Sequence, residues 1–188
     1  MIKSIKLFVL LFICIFAVGY SKPDVEVIDS QKNAYLHNNY GLVYFEQGNY
    51  FAAVKEFKMA IDLNPNTQAT AVYFNNLGNV YYKLEFSRYA AQCYENARTL
   101  YPLNIEYYKN LAKAYKQMGA LSGKIQYYSK SKNVLDKVLL GFMYLEAGNK
   151  QKAMVLFDSF CMTEPDLMLT SGVKYYMRQV REGTYQRG

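Results

Sequence analysis

Lys109, Lys113 and Lys116 recur at i, i+4 and i+7, a spacing that sets all three on one side of one helix. A row of this kind offers point charges to an acidic peptide or a chain-terminal carboxylate, each exposed pair contributing up to about 1 kcal/mol. An ordinary solvated helix face has the same look, so both readings stay open. Catalytic chemistry has less to rest on. The single histidine, His37, would have to serve alone as general base or imidazole ligand. It falls at a packing position of a helical pattern, which favours a structural role. The sequence has no nucleophile elbow, no phosphate-binding glycine loop and no paired-histidine metal motif. Asp24, Glu26 and Asp29 lie close together, in what reads as a solvated N-terminal segment. Cys93 and Cys161 are isolated from each other and from any CxxC or Cys/His cluster, and they read as small buried hydrophobes. The expectation is a chain without enzymatic activity, cofactor or metal.

The elements that would carry these residues are written in a repeated spacing. NNYGLVYFEQGNYFAAVKEFKMAIDLNP places Gly41, Tyr44, Gly48, Ala53, Phe57, Ala60 and Pro65 at set distances. The same distances return in Gly78, Tyr81, Ala90, Tyr94, Ala97 and Pro102. They return again in Gly141, Tyr144, Gly148, Ala153, Phe157 and Pro165, and in part in Ala112, Tyr115 and Gly119. The intervals from Gly41 to Gly78, Ala112 and Gly141 run 37, 34 and 29 residues in turn. Glycine inside a helix costs about 1 kcal/mol relative to alanine, so its recurrence calls for a packing reason. Small residues permit close approach of paired helices, the aromatics fill the space beside them, and each proline ends a helix. One such hairpin cannot bury its apolar face alone, whereas stacked hairpins can.

With Phe74, Leu77, Gly78, Tyr81, Ala90, Tyr94, Ala97 and Pro102 filling the signature positions, the sequence resembles the tetratricopeptide repeat family. The resemblance covers roughly residues 34–167 and implies an all-α fold: a right-handed α-solenoid of about four helix–turn–helix units with a C-terminal capping helix. The expected units are 34–67, 71–104, a degenerate and shortened 105–133, and 134–167, then a capping helix over 168–183 and a tail over 184–188. Val173, Tyr176, Met177 and Val180 give that last helix one apolar face. Departures from the pattern mark the soft places. His37 and Lys137 stand where a large aromatic is usual, Lys124 stands where the third unit should have alanine, and SKSKN over 129–133 interrupts its second helix. A stunted helix near Leu121 to Tyr128 is expected there.

The resemblance also implies that the first helix of each unit lines a concave groove whose outward positions meet a protein or peptide partner. Carried over residue by residue, the groove comprises Asn38 (with Leu42 and Phe45), then Asn75, Asn79 and Tyr82, then Lys109, Lys113 and Lys116, and finally Phe142 and Leu145 (with Val138). The expected surface is an asparagine strip, a lysine row and an apolar shelf, fitted to a peptide with acidic residues or a terminal carboxylate beside apolar anchors. Some family members clamp a terminal carboxylate with lysines and asparagines. Here Asn38 stands where a lysine would, and Leu42 where an asparagine would, so that clamp is not reproduced.

The first 21 residues follow another logic. MIKSIK is a basic start, LFVLLFICIFAV is a run of 12 apolar residues, and small residues allow cleavage after Gly19 or Ser21. This is the plan of a secretory signal peptide, the alternative being an uncleaved N-terminal anchor. Removing residues 1–19 would take Lys3 and Lys6 and leave 20 basic against 15 acidic residues, lowering the net charge from +7 to +5. The charges are mixed along the chain instead of gathered into a patch, which argues against nucleic acid. The expected protein is an exported scaffold (periplasmic, cell-envelope or secreted) within an assembly or secretion complex. The alternative is a peripheral protein held on a membrane or polyanion by basic residues or by its N-terminus. Its 20 Tyr and 11 Phe, without Trp, suit surfaces that are half core and half groove.

Overall fold

A computed structural model describes residues 29–188, and the expected signal peptide lies outside the described residues. Among the described residues there are nine α-helices and no strand. They are α1 (Ser30–Glu46), α2 (Tyr50–Leu63), α3 (Gln68–Lys83), α4 (Ser87–Leu100), α5 (Ile105–Gln117), α6 (Leu121–Tyr128), α7 (Val134–Glu146), α8 (Lys150–Thr163) and α9 (Met168–Glu182). None of these helices is long and apolar enough to cross a membrane.

Local chemistry sets the boundaries. Asp29, Asn49, Asn104, Asn133 and Asn149 each cap a helix by accepting a backbone N–H with the side chain, and Thr67 forms a reciprocal capping box with Thr70. Three helices stop two residues before a proline, at Leu63, Leu100 and Thr163, because the residue preceding proline is pushed out of helical backbone. Fully buried Thr70 and its counterpart Thr170 donate their hydroxyls back to the carbonyls of Asn64 and Glu164. This satisfies the end of one helix from the start of the next.

The repeat spacing is explained by three close approaches. A side chain begun at Gly41 would stand 2.6 Å from the Phe57 ring, and one begun at Gly78 would stand 2.7 Å from the Tyr94 ring. Gly141 faces Phe157 still more tightly. Each aromatic follows its glycine by 16 residues and fills the cleft that the missing Cβ leaves. Helices α1 with α2, α3 with α4 and α7 with α8 therefore close as tight hairpins, and successive hairpins stack through α2 on α3, α4 on α5 and α5 on α7. The result is an α-solenoid. In the third unit Ala112 stands in the glycine's place, and its partner helix α6 lasts eight residues. Accordingly α5 packs more on α7 than on α6.

A partly buried polar web holds that weaker joint together. Glu95 on α4 accepts the hydroxyls of Tyr115 and Tyr128, each at 2.6 Å, and the Arg98 guanidinium at 2.9 Å. Arg98 also donates to Asp136 on α7 at 2.6 Å, and its guanidinium lies near the faces of Tyr108 and Tyr128. Burial pushes the Glu95 carboxyl up, but the two tyrosine hydrogen bonds and the Arg98 charge outweigh it and hold it below the usual carboxylate range. Burial, together with the Glu95 contact, pushes the Tyr128 hydroxyl up to about 12.

Candidate functional site

The asparagines meet first as a ladder between units. Asn76 donates to Asn38 at 2.9 Å, joining α1 to α3, and Asn110 donates to Asn75 at 3.0 Å, joining α3 to α5. Asn79 accepts from Tyr94 of its own unit at 2.9 Å and from Asn110 at 3.5 Å. Asn38 is buried, while Asn75 and Asn79 are half-buried. The strip is thus partly committed to stitching neighbouring units together. Asn76 and Asn110, which the sequence reading missed, are its other half; the signal for them was their adjacency to Asn75 and to Lys109 on the same helices.

The lysine row lies on α5 and is unequal in its surroundings. Lys109 pairs with Glu106 and donates to the Tyr176 hydroxyl at 2.7 Å, with its ammonium 5.0 Å from that ring's centre. Lys116 stands 3.3 Å from the Glu146 carboxylate. Lys113 forms no salt bridge among the described residues. Partial burial and the neighbouring charges of Lys109 and Lys116 lower its ammonium below the usual lysine value, against the pull of Glu146 and Glu106.

The apolar shelf requires correction. Val138, Phe142 and Leu145 are fully buried, at 0, 0 and 1% exposure, and do not line an open surface. The Phe142 ring packs edge-on against Phe157 of its own unit and against Tyr176 of α9, with ring centres 5.2 Å apart in each case. The capping helix had an apolar face of its own to bury, and this face was the available partner. Tyr176 closes that end of the groove by donating to Glu106 while accepting from Lys109.

Tyr82 on α3, Lys113 and Lys116 on α5 and Glu146 at the end of α7 instead meet residues 184–188 of the chain itself. Lys116 donates to the Gly188 carbonyl, the Gly188 N–H donates to Glu146 at 3.0 Å, and Gly188 packs against the Lys113 stem and the Tyr82 hydroxyl. Three residues expected in the groove, Tyr82, Lys113 and Lys116, are brought together on one stretch of backbone. Glu146 and Tyr185 were not anticipated from the sequence. Among the described residues no group of three or more His, Cys, Asp or Glu is placed to hold a metal. His37 is spent on a contact with Glu56, its Nδ1 lying 2.6 Å from the carboxylate, and Cys93 and Cys161 are free thiols. Burial pushes the Cys93 thiol up to about 12, which keeps it unreactive.

Residues 41–85, from the middle of α1 to just past the end of α3, match the family model described as TPR repeat. No curated relative matches the sequence. Among solved structures the chain is similar to the Arabidopsis OM64 TPR domain, at 15% identity and TM-score 0.45, covering 80% of this chain and 98% of that one. It is also similar to the first TPR of Spaghetti (RPAP3) bound to the HSP90 peptide SRMEEVD, at 16% identity and TM-score 0.48, covering 81% and 94%. A third is Pseudomonas aeruginosa pilF, at 19% identity and TM-score 0.49, covering 79% and 68%. The family match covers residues 41–85, and the described residues as a whole form an all-helical solenoid.

Proposed function

We propose that this protein is an exported, non-enzymatic scaffold that holds a segment of another protein in its concave groove, within a cell-envelope assembly or secretion complex. The observation that carries this reading is the backbone already lying there: Lys116 and Glu146 satisfy both the carbonyl and the N–H of Gly188. A rigid stack binds in this way without ordering its own side chains at the moment of capture. Lys113, the member of the row without a carboxylate partner among the described residues, supports a preference for an acidic residue or carboxylate in the bound segment. Export rests on the basic start, the apolar run and the small residues over 1–21.

The test is site-directed photo-crosslinking in the cells that make the protein. A photoreactive residue at Tyr82, in the groove, should give a discrete protein adduct in the envelope or secreted fraction, and one at exposed Gln92 on α4 should not. Equal labelling from both positions, or an adduct confined to the cytosol, would contradict the reading.

A further inference from the structure

The stretch after α9 is directed into the groove by its own local structure. Gly183 ends the helix in left-handed backbone, with φ of 74°, and the N–H groups of Thr184 and Tyr185 both return to the Gln179 carbonyl, at 2.9 and 3.2 Å. The chain then runs over α7 and α5. The Tyr185 ring packs edge-on to Tyr176, with centres 6.1 Å apart, and its hydroxyl donates to one oxygen of Glu146 at 3.0 Å. The other oxygen takes the Gly188 N–H at 3.0 Å and Lys116 at 3.3 Å.

The Glu146 side chain is entirely buried. Of the three donors that satisfy it, two come from residues 184–188 and one from the solenoid. A buried carboxylate is costly unless its lone pairs are filled. Without residues 184–188, Glu146 would keep Lys116 alone and its remaining acceptor sites would face the groove. The seat therefore selects donors at Glu146 and offers an ammonium to a carbonyl. Its chemistry is a tyrosine hydroxyl followed, three residues later, by a backbone N–H and C=O. Burial and the Glu146 charge both push the Tyr185 hydroxyl up, so it stays a proton donor across the physiological range.

Resting on the groove reading above, we propose that Glu146 and Lys116 form the specificity-determining seat of the groove. Residues 184–188 occupy that seat as a built-in competitor, which a partner's extended tyrosine-bearing segment must displace. A tethered occupant of this kind acts at an effective concentration of order millimolar. It filters out weak ligands while sparing a bare groove from indiscriminate contacts.

The test titrates a synthetic peptide of residues 181–188, acetylated and amidated so that its end offers only a backbone carbonyl. It is added to the chain lacking 184–188, to the full chain and to the deleted chain carrying Glu146→Gln, each followed by NMR shifts. The deleted chain should bind saturably, with shifts at Tyr82, Lys116 and Glu146. The full chain should bind at least about tenfold more weakly, as an occupied site requires. The peptide carrying Tyr185→Ala, and the Glu146→Gln chain, should each lose most of the binding. Absence of peptide-induced shifts in a deleted chain that remains helical would overturn the proposal, and so would equal binding by the full and deleted chains. Should the deletion lower helicity, the full chain with Tyr185→Ala takes its place in the comparison, with the same outcomes decisive. A negative result here together with a Tyr82 crosslink would remove the competitor and leave the groove reading standing.

Discussion

Two carboxylates with opposite fates set most of what is specific to this chain. Glu95 is an internal fastener, holding α4, α5 and α6 through two tyrosines while Arg98 carries the contact on to α7. Because folding holds its carboxyl below the usual carboxylate range, the stability it contributes is present above the unfolded-state carboxylate value and is lost as pH falls through the folded one. Thermal unfolding followed from pH 7 down through pH 3 should show a steeper fall than in the Glu95→Gln variant, that variant being less stable at neutral pH. An identical pH profile in the two proteins would contradict the assignment. Glu146 instead faces the groove, and nothing in its local sequence, YLEAGN, marks it as buried. What buries it arrives 39 to 42 residues later. The lysine row was legible because i, i+4, i+7 spacing is a property of one helix. Its acidic complement was not, because that pairing depends on how separate units stack.

At the scale of the elements, three glycines decide how closely the hairpins close. Gly78→Leu should cost about 1–3 kcal/mol by overpacking against Tyr94, lowering the melting temperature by several degrees while leaving exposed Gly123→Leu nearly silent. Equal effects at both positions would deny Gly78 its packing role. The glycine–aromatic spacing is readable from sequence because both partners lie within one hairpin, 16 residues apart. The interruption at SKSKN is readable for the same reason, and α6 ends at Tyr128 just before it. The apolar shelf was misjudged at this scale. Phe142 and Leu145 occupy outward positions of a first helix, as Asn75 and Asn79 do, but both are buried, Phe142 against Tyr176 of α9. An amphipathic helix announces that it must cover something, and only the packed chain says what.

Across the whole molecule the stack is asymmetric. From α4 onward most of the buried apolar side chains form one continuous core that takes in α9, whereas α1 and α2 leave Tyr35, Tyr40, Val43 and Phe51 largely exposed. Repeat arrays depend on their ends for solubility, and here only the α9 end is covered among the described residues. The solenoid presents one groove, and residues 184–188 sit at its centre, on Tyr82, Lys113, Lys116 and Glu146. Capture of the Tyr82-crosslinked protein by three purified chains tests this arrangement most directly: the full chain, the chain lacking 184–188, and the full chain with Lys113→Ala and Lys116→Ala, all first verified as helical. The deleted chain should retain most of that protein, the full chain less, and the double variant least. Undiminished capture by the double variant would contradict the arrangement, because the partner would then be held somewhere other than the groove.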